Sequence, residues 1–467
     1  MKTALMIVAT VLSVTGMTQF TSAAEPIDIG ARLELFVDNY LVDTLTGSAK
    51  LKLHQPVPHE VVLVTDKPWE GNTSAYYTIF QDGDLYRMYY RGSHFDEKTK
   101  QAAHREVTCY AESQDGIHWT KPELGLFEFD GSKQNNIVWD GIGTHCFTPL
   151  KDDNPDCPPD ARYKAISRGR PRGKKGLYVF KSADGIHWSL MVPKPVITSG
   201  AFDSQNLAFW DPHAGLYREY HRSFSDGVRA IMTGTSHDFV HWTEPVLLSY
   251  PDAPNQHLYT NAIFPYERAP HFLIGFPTRF LPNQGSRVEP TFMASRDGRT
   301  FHRWPQAVIP EDAPKDRGGN RSNYMTWGLL KMPGNDREYS VYATEAYYTG
   351  PNSRVRRFVF RVDGFVSLHA TQTGGELLTK PLKFSGKGLA INFVTSEDGS
   401  IRIGLDDAQG NPIEGFTLDD CQPIRGDAIR RPVAWKDGSD VSALAGKPVR
   451  LRIRLKAADL YSFAFGP

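Results

Sequence analysis

Ser113-Gln114-Asp115-Gly116-Ile117-His118-Trp119 returns along the chain as Ser182-Ala183-Asp184-Gly185-Ile186-His187-Trp188. Looser copies follow at Ser236-His237-Asp238-Phe239-Val240-His241-Trp242 and Ser295-Arg296-Asp297-Gly298-Arg299-Thr300-Phe301. From Trp119 to Trp188 is 69 residues and from Trp188 to Trp242 is 54, which suits one four-stranded sheet and its loops. Asp-Gly is a tight hairpin turn: Gly supplies the positive φ and Asp caps backbone donors. The serine bonds back across the turn, and the tryptophan packs between neighbouring sheets.

Outward from these turns, the same pair of strand-like segments recurs five times. The first segments open at Trp69-Glu70-Gly71-Asn72, His145-Cys146-Phe147-Thr148, Phe202-Asp203-Ser204-Gln205-Asn206, Tyr259-Thr260-Asn261 and Asn320-Arg321-Ser322-Asn323. The second segments, rich in Tyr, Phe and Arg, cover 86–92, 163–169, 217–223, 272–279 and 339–347. Helical periodicity is nearly absent, so the reading is all-β, a five-bladed β-propeller over residues 25–365. From Val366 the repeat stops and short alternating strands take over, which predicts a C-terminal β-sandwich over 366–467. Asp38, in the stretch 35–43, belongs on this reading to an entry strand that closes the propeller.

Lys2, the apolar run Ala4–Met17 and the small residues Ser22-Ala23-Ala24 form a signal peptide over 1–24, so the expected location is secreted or periplasmic. Nothing downstream is long and apolar enough to cross a bilayer, so no membrane contact is expected after leader cleavage. At 467 residues, two domains are the prior. Lys plus Arg and Asp plus Glu both number 53, a balance that argues against nucleic acid as a partner. Aromatic residues make up 12%, which suits surfaces that stack on sugar rings. Of the four cysteines, Cys146 and Cys157 flank a loop rich in Pro and Asp and could bridge locally, whereas Cys109 and Cys421 would have to pair across domains. No CxxC or Cys/His spacing points to zinc, and no cofactor is expected.

With its five repeated units and trailing β domain, the chain resembles the five-bladed propeller glycoside hydrolases, the group of invertases, levanases, arabinanases and β-xylosidases. The repeat phrase is similar to the Asp-box turn of the six-bladed sialidases. The resemblance implies a carbohydrate substrate and carboxylate acid/base chemistry. Its catalytic motifs do not carry over: the invertase-type Asn-Asp-Pro-Asn-Gly, Arg-Asp-Pro and Glu-Cys are all missing, and Trp69-Glu70-Gly71-Asn72 stands where the first would lie.

Propeller geometry narrows the search for the site. Innermost strands begin, and second strands end, around one central funnel. The strand starts deliver Glu70, Asn72, His145, Asp203, Gln205, Asn261 and Asn323, and the ends deliver Arg91, Arg168, Arg222, Arg279 and Glu345. Glycoside hydrolysis needs two carboxyl groups. The expected catalytic set is Asp203 as base or nucleophile, Glu345 as general acid and Glu70 as base or substrate orienter, with Glu289 ranked behind them. Asn72, Arg91, His145, Gln205, Arg222, Asn261, Arg279 and Asn323 are the expected substrate-binding set. Arg forks at several strand ends suit an anionic ligand, or pair with the carboxylates nearby. In arabinanase-like enzymes a central histidine lies near a bound ion, which would make His145 neighbour to a channel cation. The alternative for a lone histidine is a hydrogen-bonding role. Trp69, Tyr76, Tyr259 and Tyr348 could stack on sugars or pack the blades. Two other functions stay open: a glycoside phosphorylase, and a glycan-binding propeller without catalysis.

Overall fold

In the computed structural model, residues 25–310 and 323–466 are described; the leader reading and Asn320, Arg321 and Ser322 lie outside them. Five four-stranded antiparallel sheets follow one another along the chain. Blade 1 contains Ala75–Asp82, Leu85–Gly92, Val107–Ser113 and Ile137–Trp139, and blade 2 contains Thr148–Lys151, Tyr163–Gly169, Gly176–Ser182 and Ser189–Leu190. Blade 3 contains Leu207–Asp211, Leu216–Ser225, Val228–Ser236 and Val246–Leu247. Blade 4 contains Ile263–Pro265, Leu273–Gly275, Met293–Ser295 and His302–Arg303. Blade 5 contains Tyr324–Met325, Glu338–Glu345 and Arg354–Arg361, and its fourth strand is Val57–Val64 from the other end of the chain. The fold is the expected five-bladed propeller.

Apart from two short hairpins, Phe95–Asp96 with Gln101–Ala102 and Thr278–Leu281 with Arg287–Pro290, the remaining strands form one ten-stranded sheet around an apolar core of its own. Gly388–Asp407 and Val449–Gly466 pair along nearly their whole lengths, from Gly388 opposite Gly466 to Asp407 opposite Val449. Four N-terminal strands between Ile27 and Leu53 join this sheet. The propeller therefore does not begin at residue 25, and the Asp38 stretch does not close it. Asp38 instead binds Arg296 Nε at 2.8 Å, a contact between the N-terminal segment and blade 4. Val57–Val64 closes the ring, because its hydrophobic residues reach blade 5 only after the chain has left the ten-stranded sheet.

The repeat turns match their sequence reading atom by atom. Ser113 Oγ accepts from the Asp115 and Gly116 N–H groups, and Asp115 Oδ1 accepts from Ile117 and His118 N–H at 2.8 Å each. Trp119 Nε1 donates to Gly116 O at 3.0 Å, and the turns at Trp188 and Trp242 repeat that bond to Gly185 and Phe239. The same turn carbonyls latch neighbouring blades. Gly116 O accepts from Tyr342 of blade 5, Gly185 O from Tyr89 of blade 1 and Gly298 O from Tyr220 of blade 3.

Blade 3 departs from the pattern. Tyr89 and Tyr220 stand in register with residues three positions before the repeat serine of their own blade, Tyr110 and Thr233. On blade 2 the equivalent residue is Ile166, opposite Val179, which has no hydroxyl to donate. The turn it faces has Phe239 in place of Gly, at φ 68 and fully buried. A left-handed backbone costs a non-Gly residue about 1–2 kcal/mol. Burying a Phe ring contributes more than that, so packing replaces the hydroxyl latch.

Cys109, Cys146, Cys157 and Cys421 are all free thiols. The local Cys146–Cys157 bridge does not form, because the two side chains go to different surroundings. Cys146 is buried against Asn206, while Cys157 Sγ accepts from Lys164 Nζ at 3.3 Å.

Candidate active site at the propeller mouth

The loop 200–206 brings Asp203 to the mouth, and its support is buried beneath it. Gly200, at φ +146, leaves room for His221, whose ring would lie 2.6 Å from any Cβ placed there. His221 packs on Phe202 with ring centroids 5.2 Å apart, and its Nδ1 is 2.7 Å from Glu219 Oε2. Asp203 itself remains 54% exposed at its side chain, so it is presented to solvent from a rigid base.

Groups from blades 2 and 3 converge on this carboxylate. His145 Nε2 lies 2.7 Å from Asp203 Oδ1, Arg168 Nη1 donates to the same oxygen at 3.0 Å, and Arg222 Nη2 stands 4.0 Å from Oδ2. The other ring nitrogen of His145 faces Glu106, with Nδ1 2.9 Å from Oε1. Arg91 Nη1 is 3.5 Å from that carboxylate, while its Nη2 donates to Thr73 O and to the Tyr347 hydroxyl. Arg91 is buried, with its guanidinium 4.8 Å from the Tyr76 ring centroid.

Both carboxylates are held in the ionised form. The hydrogen bond from His145, with the charges of His145, Arg168 and Arg222, keeps Asp203 far below the usual carboxylate range. For Glu106, burial pushes upward. The His145 hydrogen bond and the charges of His145, Arg91 and Arg168 together outweigh it, and the net shift is downward.

Backbone strain gathers at the same end of the ring. Tyr76, Ala262, Ala346 and Tyr348 all hold positive φ, between 41 and 59. Each sits at the start of an innermost strand or just past the end of a second strand, and such strain collects where side chains must be presented in one direction. Tyr347 packs on Tyr324 and Tyr348, at 5.3 and 4.7 Å between centroids, so blade 5 contributes an aromatic wall.

Of the sequence-predicted residues, Asp203, His145, Arg91, Arg168 and Arg222 are brought together. Glu345 and Glu70 are not, which corrects their expected catalytic roles. Glu345 is fully buried between Arg354 Nε at 2.8 Å and Arg356 Nε at 2.7 Å. Glu70 is buried within blade 1, where it accepts from Tyr90 at 2.5 Å and from Lys121 at 2.6 Å. Each carboxylate needed a cation to leave water, and the cation holds it inside the blade.

Several expected substrate contacts are also spent on the fold. Asn72 binds Phe95 N and O and Gly350 O, stapling the Phe95–Asp96 hairpin to the loop after Glu345. Gln205 donates to Tyr77 O and Thr78 Oγ1 across the channel, and Asn261 caps Ile263 N. Arg279 pairs with Glu289 on the hairpin they share, which occupies both residues. Asn323 is fully buried, with neither side-chain amide atom bonded.

Glu106 escapes a sequence reading that follows only first-strand starts and second-strand ends. The signal was available: in an antiparallel hairpin the third strand starts beside the end of the second, and Val107 indeed pairs with Gly92. For the channel cation, both ring nitrogens of His145 face carboxylates. Among the described residues, no group of three or more His, Cys, Asp and Glu side chains is placed to hold an ion.

No protein-family model matches the chain, and no curated protein matches it. Solved structures do. A β-1,2-mannobiose phosphorylase from Listeria innocua, in complex with β-1,2-mannobiose, shares 12% identity at TM-score 0.46, over 64% of this chain and 94% of that one. A family 43 arabinoxylan arabinofuranohydrolase from Bacillus subtilis, in complex with cellotetraose, shares 12% at TM-score 0.43, over 86% and 97%. A thermostable family 43 glycoside hydrolase shares 13% at TM-score 0.43, over 62% and 91%.

Proposed function

We propose that this protein is an exported glycoside hydrolase that acts on a poly- or oligosaccharide at the propeller mouth. The observation that supports this reading is the Glu106–His145–Asp203 array: two carboxylates on opposite nitrogens of one imidazole, open to solvent at Asp203. The imidazole fills the space between the two carboxylates, so a glycosidic bond meets the array at the exposed face of Asp203. Asp203, ionised and half exposed, takes a proton from water or attacks the anomeric carbon. His145 is the proton carrier toward the leaving oxygen, and Glu106 orients the ring and balances its charge. Export rests on the leader over residues 1–24.

The test is reducing-sugar release by the purified protein across a panel of neutral, uronic-acid and sulfated glycans, with Asp203→Asn alongside. A loss of about a thousandfold in the variant is expected, in the range for removing a positioned acid or base. Release that survives Asp203→Asn overturns the assignment. Turnover only with added inorganic phosphate would make the protein a phosphorylase, and no release on any glycan would leave a binding propeller.

A further inference from the structure

Beside the candidate site, on the blade 2 side, lies a second cavity of about 580 Å³. Its walls are the loop 141–145, the strand end at Arg168, the turn carrying Arg170, Pro171 and Lys175, and Phe202. Three permanent cations face it and no acidic residue lines it. The Arg168 guanidinium spends one N–H on Asp203 and makes no other side-chain hydrogen bond among the described residues. Arg170 and Lys175 are exposed and make no ion pair among the described residues; Lys175 stands 5.9 Å from the Phe202 ring.

Such an arrangement is costly without a ligand. Like charges gathered around one concavity repel each other, and proteins ordinarily intersperse acids among them. Asp203 pairs with His145 and Arg168 but is not itself among the residues that line the cavity. The cavity is also too large for a lone inorganic anion, since its volume falls within the roughly 300–1,000 Å³ of small-molecule sites. It shares His145 and Arg168 with the array at Asp203, so a ligand could occupy both.

We propose that this cavity takes the oxyanion of an acidic sugar residue, a uronate carboxylate or a sulfate ester, next to the residue at Asp203. Guanidinium forks from Arg168 and Arg170 suit either group, and Lys175 adds a point charge. The proposal rests on the reading of the mouth as a glycan site, but not on that site being catalytic.

The experiment therefore reads binding rather than cleavage. Isothermal titration would compare oligogalacturonate, sulfated galactan oligosaccharide, neutral galactan oligosaccharide, inorganic phosphate and inorganic sulfate on wild type and on Arg170→Ala/Lys175→Ala. Both substituted residues are exposed, and unchanged thermal unfolding would confirm that the fold survives. One of the acidic oligosaccharides should bind and lose at least about tenfold in affinity in the double variant, and its wild-type affinity should fall with added salt. No binding of either acidic oligosaccharide, equal binding by both proteins, or inorganic phosphate bound as tightly as the acidic sugars would each overturn the proposal. Loss of activity in Asp203→Asn is a separate readout, so the two readings fail independently.

Discussion

His145 Nε2 and Asp203 Oδ1, 2.7 Å apart, join blade 2 to the loop that opens blade 3. With Glu106 on the other ring nitrogen, the imidazole can donate to both sides, and its orientation is fixed before any substrate arrives. Asp203→Asn removes the charge and leaves the shape, so Tm should be nearly unchanged while kcat falls about a thousandfold. Glu106→Gln should lower kcat by about tenfold to a hundredfold with little change in KM, because it acts through the ring. Steady-state kinetics on the substrate found in the panel would check both.

The two carboxylates should also shape the acidic limb of the pH–rate profile. Both titrate below their ordinary values, so kcat/KM should hold its level as pH falls through about 4, where an unpaired Asp or Glu would begin to protonate. Arg168→Gln removes a cation from Asp203, which raises its pKa and moves the acidic limb upward by about one pH unit. An unmoved limb would show that Asp203 is not the group being titrated.

Glu345 gives the opposite signature. Replacing it by Gln removes a buried charge held by two arginines, and the expected cost is about 3 kcal/mol, the low end for a broken buried pair. Denaturant unfolding should show the loss, while kcat of the folded protein stays within about twofold of wild type.

The repeat turns predict a stability plateau. In Asp115, Asp184 and Asp238, burial pushes the pKa up. Hydrogen bonds from the histidine, the backbone N–H groups and the serine push it further down, and the net value is well below the ordinary one. Their contribution is complete above the unfolded value near about 3.9 and is lost as pH falls through the folded value. His118 shifts the other way through its bond to Asp115: its contribution is present below about pH 6.5 and is lost as pH rises through the folded value. Melting scans should thus show the turns strongest between about pH 4 and 6.5, and Asp115→Asn should flatten both flanks.

Blade latching can be tested by removing one hydroxyl at a time. Tyr89→Phe, Tyr220→Phe and Tyr342→Phe should each cost about 1 kcal/mol and add nearly independently, since they sit in different blades. Phe239→Gly should cost more than any of them, about 3 kcal/mol, because that turn relies on the buried ring.

The propeller was legible because its turns are local: Ser, Asp and Gly within a few residues fix the hairpin wherever they fall. The meeting of Asp203, His145, Arg91, Arg168 and Arg222 was legible too, since blade geometry fixes where strand starts and ends lie. What could not be read was pairing between residues far apart in sequence. Nothing near Glu70 marks Lys121 as its partner, and nothing near Glu345 distinguishes an arginine that buries it from one that would leave it facing substrate. The stretch 35–43 read as an entry strand of the propeller because the sheet partners of this region, from Val366 onward, are more than three hundred residues away.

The placement of those early strands bears on how the protein is made. Synthesis delivers residues 27–64 ahead of their sheet partners, which lie in blade 5 and in the strands from Val366 onward. Until residues 354–384 emerge, most of the leading segment has open strand edges and nowhere native to put them. Blades 1 to 4 can form as they appear, but the ring stays open until Arg354–Arg361 has been made. A ribosome that stops early leaves a sticky, unclasped product, and a factor that shields nascent β-edges would raise the yield of this chain more than one that only catalyses proline or disulfide exchange.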